Sequence, residues 1–341
     1  MSRRDAVLKS SAAALASASW FLPTTGSSAA TTDKNSIPTW TLRGGVKMPV
    51  LALNTVGLSA EDTTRAVGFA LKEGITHVDF HPGKERDGVA QYLAEHSAAR
   101  SELFLNTKIR KPPPGTSPED AAERARTQIA EDLTALGLSS VDMLMLRDSP
   151  DAAVLQAQWA VMEEALANGQ TRSVGVINYC PFSLNAILET ARVKPALNYH
   201  LLHVGMGTDP RGLVRFCNSR GIRTFAYGAV GEPGPNDELL NSSTLRRIAE
   251  NHHVSPEAAA LRWVLQTGAA CSVRPTLNFG LGTSQCTEEN GCDAGLQARA
   301  ASFSWKLSAK EMAELSALKS PNDNPTLFSS AGCPDAFVMP K

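Results

Sequence analysis

The stretch "GITHVDFHPGK", residues 74–84, decides how the chain reads. Its apolar and β-branched run Ile75–Asp79 ends on a carboxylate, after which His81, Lys84, Glu85, Arg86 and Asp87 scatter over what reads as a loop. Such a run is strand-like, and its polar finish places reactive groups at the strand's C-terminal end. Working outward, seven more runs have the same character: Val50–Leu53, Leu103–Thr107, Asp142–Leu146, Ser173–Ile177, Ala196–Asn198, Thr224–Ala226 and Ala270–Val273. Between them, Glu61–Lys72, Pro118–Leu136, Ala152–Asn168, Ser183–Ala191, Gly212–Arg220, Pro256–Gln266 and Ala309–Leu318 carry apolar residues at three- and four-residue spacing, which predicts helices. Ser117 and Ser308 are natural N-caps for two of them.

Eight strands alternating with helices predict an α/β fold, a closed (β/α)8 TIM barrel over residues 37–320. The segment "TWTLRGGVKMPV", residues 39–50, has two extended runs about Gly44-Gly45 and reads as a hairpin ahead of the barrel. Asp79, Lys108, Arg147, Asn178, Asn198, Tyr227 and Arg274 each stand at or just past the C-terminal end of a predicted strand. In a barrel those ends converge on the binding face, so seven polar or aromatic groups are expected to share one mouth.

Charge narrows the function classes. The 33 basic and 34 acidic residues nearly cancel and no long basic run occurs, which argues against a nucleic-acid partner and favours a small molecule. Residues 1–30, with Arg3-Arg4, an apolar stretch from Ala12 to Leu22 and small residues from Ser27 to Ala30, read as a leader. Its start is similar to a twin-arginine export signal, which predicts export to the periplasm or thylakoid lumen, with an organellar or cytoplasmic location as the alternative. The apolar stretch is short for a membrane span, so no membrane association is expected once the leader is removed. Residues 321–341 read as a C-terminal tail, and a monomer is favoured. Cys286 and Cys292 flank a polar stretch and suit a small disulfide loop, whereas Cys180, Cys217 and Cys271 lie among apolar residues and read as buried free thiols. Their spacings do not suggest zinc, and no metal site is expected.

The segments "MPVLALNT", "GITHVDF", "LFLNTK", "DMLMLRDSP", "GQTRSVGVINY", "KPALNY", "GIRTFAY" and "LRWVLQTGAACSVRP" follow one another in an order that resembles the aldo-keto reductase family. The likeness runs from about Thr39 to Leu318. It implies a (β/α)8 barrel that binds NADPH and passes a hydride to a carbonyl carbon while a tyrosine hydroxyl protonates the oxygen, helped by a lysine, an aspartate and a histidine. Asp79 and Lys108 fall on the family aspartate and lysine. Lys84 stands in place of the tyrosine, and Arg147 in place of the histidine.

An ammonium at position 84 can still give up a proton, and the imidazole of His81 is a second candidate donor. Three cations about Asp79 favour an anion over a neutral aldehyde. Asn178 matches the residue that holds the nicotinamide carboxamide and Tyr227 the aromatic beneath the ring, with Asn198 counted among the cofactor-binding residues. Ile177 and Tyr199 replace a serine and a glutamine that would have helped. Arg274 falls on the lysine that meets the adenosine 2′-phosphate, a substitution suited to phosphate. Beyond Pro275 the likeness breaks, although Arg299 can still meet a phosphate. The expected function is NADP(H)-dependent reduction of a carbonyl compound with altered or weak chemistry. The other reading is an impaired nucleotide- or anion-binding protein acting as a sensor or partner subunit.

Overall fold

Each of the eight runs forms a strand in the computed structural model, which describes residues 36–230, 236–275, 285–320 and 323–326. The expected leader, residues 276–284 of the insert after Pro275, and all but residues 323–326 of the expected tail lie outside these. A hairpin comes first, β1 (Thr39–Thr41) paired antiparallel with β2 (Lys47–Pro49). The barrel strands are β3 (Leu51–Asn54), β4 (His77–Asp79), β5 (Phe104–Ile109), β6 (Met143–Arg147), β7 (Val174–Ile177), β8 (Leu197–Leu201), β9 (Arg223–Tyr227) and β10 (Ala270–Val273). They pair in parallel in chain order and close through β10 onto β3. The predicted TIM barrel is therefore the observed fold.

Side chains alternate across each strand, because successive Cβ atoms point to opposite faces. Ala52, Phe104, Met143, Met145, Leu197, Phe225 and Ala270 fill the interior, while Leu51, Leu53, Val78, Leu105, Leu144 and Val176 face the helices. Leu42, Val46 and Met48 of the hairpin segment join the interior set, so the hairpin stoppers the N-terminal end of the barrel.

The surrounding helices are α1 (Ala60–Lys72), α2 (Lys84–Glu95), α3 (Pro118–Leu136), α4 (Ala152–Ala167), α5 (Pro181–Leu188), α6 (Leu213–Asn218), α7 (Asn236–Leu240), α8 (Ser243–Asn251), α9 (Pro256–Gln266), α10 (Cys292–Ala300) and α11 (Ala309–Ser316). Both predicted caps form. Ser117 Oγ accepts from the Asp120 amide at 3.1 Å, and Ser308 with Glu311 makes a reciprocal capping box.

Two expectations need correction. The charged stretch after Asp79 is not all loop: Gly83, at φ 99°, turns the chain in a conformation that side chains disfavour, and α2 begins at the next residue. Cys180 is not a free thiol but disulfide-bonded, with its partner outside the described residues. Cys217 and Cys271 are buried free thiols, and Cys286 is joined to Cys292.

Candidate active site

One polar layer crosses the barrel interior just below its C-terminal mouth. Asp79 and Lys108 are fully buried, and Lys108 Nζ donates to Asp79 Oδ1 at 2.5 Å and to the Phe80 carbonyl at 3.2 Å. Asn106 Nδ2 reaches the same carboxylate oxygen at 2.9 Å. The other oxygen, Oδ2, accepts from the Tyr199 hydroxyl at 2.8 Å. Ser272 Oγ meets that hydroxyl in turn, and Asn54 Nδ2 donates to both at 3.2 Å. The Asp79 carboxylate is thus held from inward-facing positions on β5 and β8, and Tyr199 in turn from positions on β3 and β10. Burial pushes the Lys108 ammonium below its ordinary range, against the pull of Asp79. The Tyr199 hydroxyl is pushed well up, by burial first and by Asp79 second.

Above this layer lies a cavity of about 180 Å3. His81, Arg147, Asn178, Tyr227, Arg274 and Arg299 line it together with Asn54, Tyr199 and Ser272 of the layer below. The Tyr227 hydroxyl donates to Asn178 Oδ1 at 2.6 Å, and Asn178 itself holds a left-handed backbone, φ 61°, that asparagine tolerates better than most residues. Arg299, buried on α10, brings a third guanidinium to the cavity, beside Arg147 and the Arg274 that follows β10.

His81 is fixed from one side. Its Nδ1 donates to Glu85 Oε2 at 2.9 Å, and its backbone amide reaches the same oxygen at 2.9 Å. Glu85, buried in the first turn of α2, also accepts from Thr55 Oγ1 at 2.8 Å and from the Gly57 amide at 3.0 Å. Burial opposes the charge of Glu85, yet the hydrogen bonds from His81 and Gly57 and the field of Lys108 hold its carboxyl below the usual range. Burial, and then Lys108, push the imidazole of His81 down, while Glu85 and Asp79 pull the other way.

The expected site residues therefore separate into three groups. Arg147, Asn178, Tyr227 and Arg274 share the cavity. Asp79 and Lys108 lie beneath it, covered by Tyr199, and are not among its lining residues. Lys84 is exposed on the first turn of α2 and does not line the cavity. Asn198 also stands apart. It precedes inward-facing Tyr199 and so faces the helix side, where Nδ2 donates to the Tyr179 carbonyl at 2.7 Å and Oδ1 accepts from the Tyr179 amide at 3.3 Å. Its amide steadies the turn after β7 and leaves no group for a ligand in the mouth.

Glu85 and Tyr199 are the residues that sequence reasoning missed. Strand parity would have turned Tyr199 inward beside Asp79, and the His81–Glu85 spacing of four is a helical one that the intervening Pro-Gly pair disguised. Among the described residues no cluster of three or more His, Cys, Asp or Glu side chains could hold a metal, and no helix is long and apolar enough to cross a membrane.

Comparison with known proteins adds independent findings. The family model for the Aldo/keto reductase family matches residues 50–319. An aldo-keto reductase of Mycobacterium leprae is 31% identical over 247 residues, covering 71% of this chain and 83% of that protein. A glyoxal reductase of Bacillus subtilis is 27% identical over 229 residues, covering 67% of this chain and 78% of that protein. In fold, the crystal structure of an aldo/keto reductase from Brucella melitensis superposes with a TM-score of 0.70 at 24% identity, covering 82% of this chain and 99% of that one.

Proposed function

The chain belongs to the aldo/keto reductase family, and from that premise we propose that it is an NADPH-dependent reductase of a small carbonyl compound, with an acid–base group of its own. The observation that carries this reading is the shared cavity, where an aromatic ring, an amide and two guanidinium groups meet at Tyr227, Asn178, Arg274 and Arg299. That donor set fits a nicotinamide dinucleotide. Tyr227 offers a ring face held in place by its hydroxyl bond, Asn178 keeps its Nδ2 hydrogens for a carboxamide oxygen, and the arginines suit phosphate. When bound, the dinucleotide supplies the hydride. The protein's part is to orient the carbonyl, to exclude water from the mouth and to deliver a proton to the oxygen.

A second reading, an impaired nucleotide- or anion-binding protein, is supported by the cover that Tyr199 places over Asp79 and Lys108. Export is the location we favour, since disulfide-bonded Cys286, Cys292 and Cys180 suit an oxidising compartment.

Titration of the purified protein with NADPH, followed by quenching of tryptophan fluorescence, tests the first reading. Saturable quenching is expected, and Arg274→Ala weakens NADPH by about tenfold or more while changing NADH much less, as loss of a phosphate contact requires. Absence of quenching overturns the reductase reading. Saturable binding with no NADPH oxidation by any carbonyl compound selects the second.

A further inference from the structure

The cavity's walls are cationic. Its described lining includes Arg147, Arg274 and Arg299 but no aspartate or glutamate. The three arginines do not serve one purpose, because β6 and β10 lie diametrically opposite in the barrel order. Arg274 and Arg299 stand on the β10 side, where the proposed function needs them for phosphate. Arg147 ends β6, across the mouth, and its guanidinium makes no hydrogen bond or ion pair with a described residue. The next residue, Asp148, is buried and engaged by Lys111 Nζ at 2.9 Å, so it does not neutralise that side.

Between these poles, two strands from β6, the turn after β4 brings His81 into the same cavity. Its Nδ1 is bonded to Glu85, which leaves Nε2 as the nitrogen able to exchange a proton with a ligand. Asp79 and Lys108 are covered, and the Tyr199 hydroxyl is already given to Asp79. A cation and a proton donor facing one mouth suit a carbonyl group that is itself next to a carboxylate.

We infer that the substrate is a 2-oxo acid, whose carboxylate pairs with Arg147 and whose carbonyl oxygen takes its proton from Nε2 of His81, a catalytic residue positioned by Glu85. The inference rests on the reductase reading and names the substrate class of that same site. In the step, the carbonyl carbon forms a C–H bond with the hydride supplied by the reduced nicotinamide, which is oxidised. The π pair of the C=O bond moves to oxygen, where it forms an O–H bond with the proton leaving His81. The imidazolium becomes neutral imidazole and is recharged from water, and the product is a 2-hydroxy acid. An arginine is well suited to the anchor, since its planar fork matches a carboxylate in two parallel hydrogen bonds.

Three measurements on the full chain test this. With NADPH, phenylglyoxylate is expected to be reduced at least about tenfold more efficiently than benzaldehyde, which lacks only the carboxylate. Arg147→Gln is expected to raise KM for phenylglyoxylate by about tenfold and to weaken oxamate, an unreactive mimic, by a similar factor in calorimetry. His81→Gln is expected to lower kcat by about a hundredfold and to remove the fall in rate as pH rises through the imidazole's titration.

Burial, Lys108, Glu85 and Asp79 set where this titration lies. Glu85→Gln, which removes a charge favouring the imidazolium, moves the fall to lower pH without abolishing it. NADPH binding with faster turnover of benzaldehyde, oxamate affinity indifferent to Arg147, or an unchanged pH profile in His81→Gln each overturns the inference while leaving the reductase reading in place. Failure to bind NADPH removes the reductase reading itself, and calorimetry with oxamate still reports on Arg147 alone. Because Arg147 lies at the mouth, its variant gives a readout even where changes at His81 disturb folding.

Discussion

His77 sits in the barrel interior between the rings of Phe104 and Phe225, fully buried, with Nδ1 at 3.0 Å from the Pro49 carbonyl. Burial pushes its imidazole down to about 4. The unfolded chain, titrating near 6.5, therefore takes up the proton first as pH falls. The stability that His77 contributes is complete above about pH 6.5 and is lost progressively down to about 4, where the loss levels off. Denaturant melts of His77→Phe between pH 7 and 4 are expected to show a shallower decline than the parent, by up to about 1.4 kcal/mol per pH unit. Equal slopes would mean that His77 does not set the acid limb. Residue positions were legible where the resemblance fixes them, as for Asp79 beside Lys108 and Tyr227 beside Asn178. They were not legible where neighbours decide: Asn198 and Tyr199 are adjacent in the chain, yet parity sends one to the helix side and the other over Asp79.

At the scale of elements, α2 carries Glu85, and its seat depends on Gly88. A Cβ there would lie 2.6 Å from Thr63 Cβ on α1 and closer still to the Ala60 carbonyl oxygen. Alanine favours a helix over glycine by about 1 kcal/mol, but overpacking a rigid crossing costs about 1–3 kcal/mol. Gly88→Ala is accordingly expected to lower the denaturation midpoint, and a raised midpoint would show that α1 and α2 can part without strain. The crossing explains why α2 escaped the sequence reading. Its first turn is charged, it follows Pro82-Gly83, and its buried stripe of Gly88, Val89 and Leu93 begins only in the second turn. By contrast α3 and α9 open with Ser-Pro and a strong apolar period, so both ends of each were readable. Nothing in the Gly-rich insert announced α10, which is held by tertiary contacts.

Those contacts matter for the molecule as a whole. The Cys286 amide donates to Asp62 Oδ1 at 2.7 Å, and its carbonyl accepts from Arg65 Nε at 2.8 Å, so the disulfide loop is tied to α1 while α10 presents Arg299 to the cavity. Replacing Cys286 and Cys292 together with serine is expected to lower stability by about 2 kcal/mol, the scale for so short a loop, and to weaken NADPH in the fluorescence titration. Unaltered nucleotide affinity would separate α10 from the binding face. The closed ring itself was the most legible feature, since eight apolar runs with polar finishes recur along the chain. At its far end, the hairpin has a consequence for traffic. With the base stoppered by Leu42, Val46 and Met48, the described residues leave the opposite mouth as the doorway for arrivals and departures, so whatever lodges deepest must wait for the shallower occupant to leave.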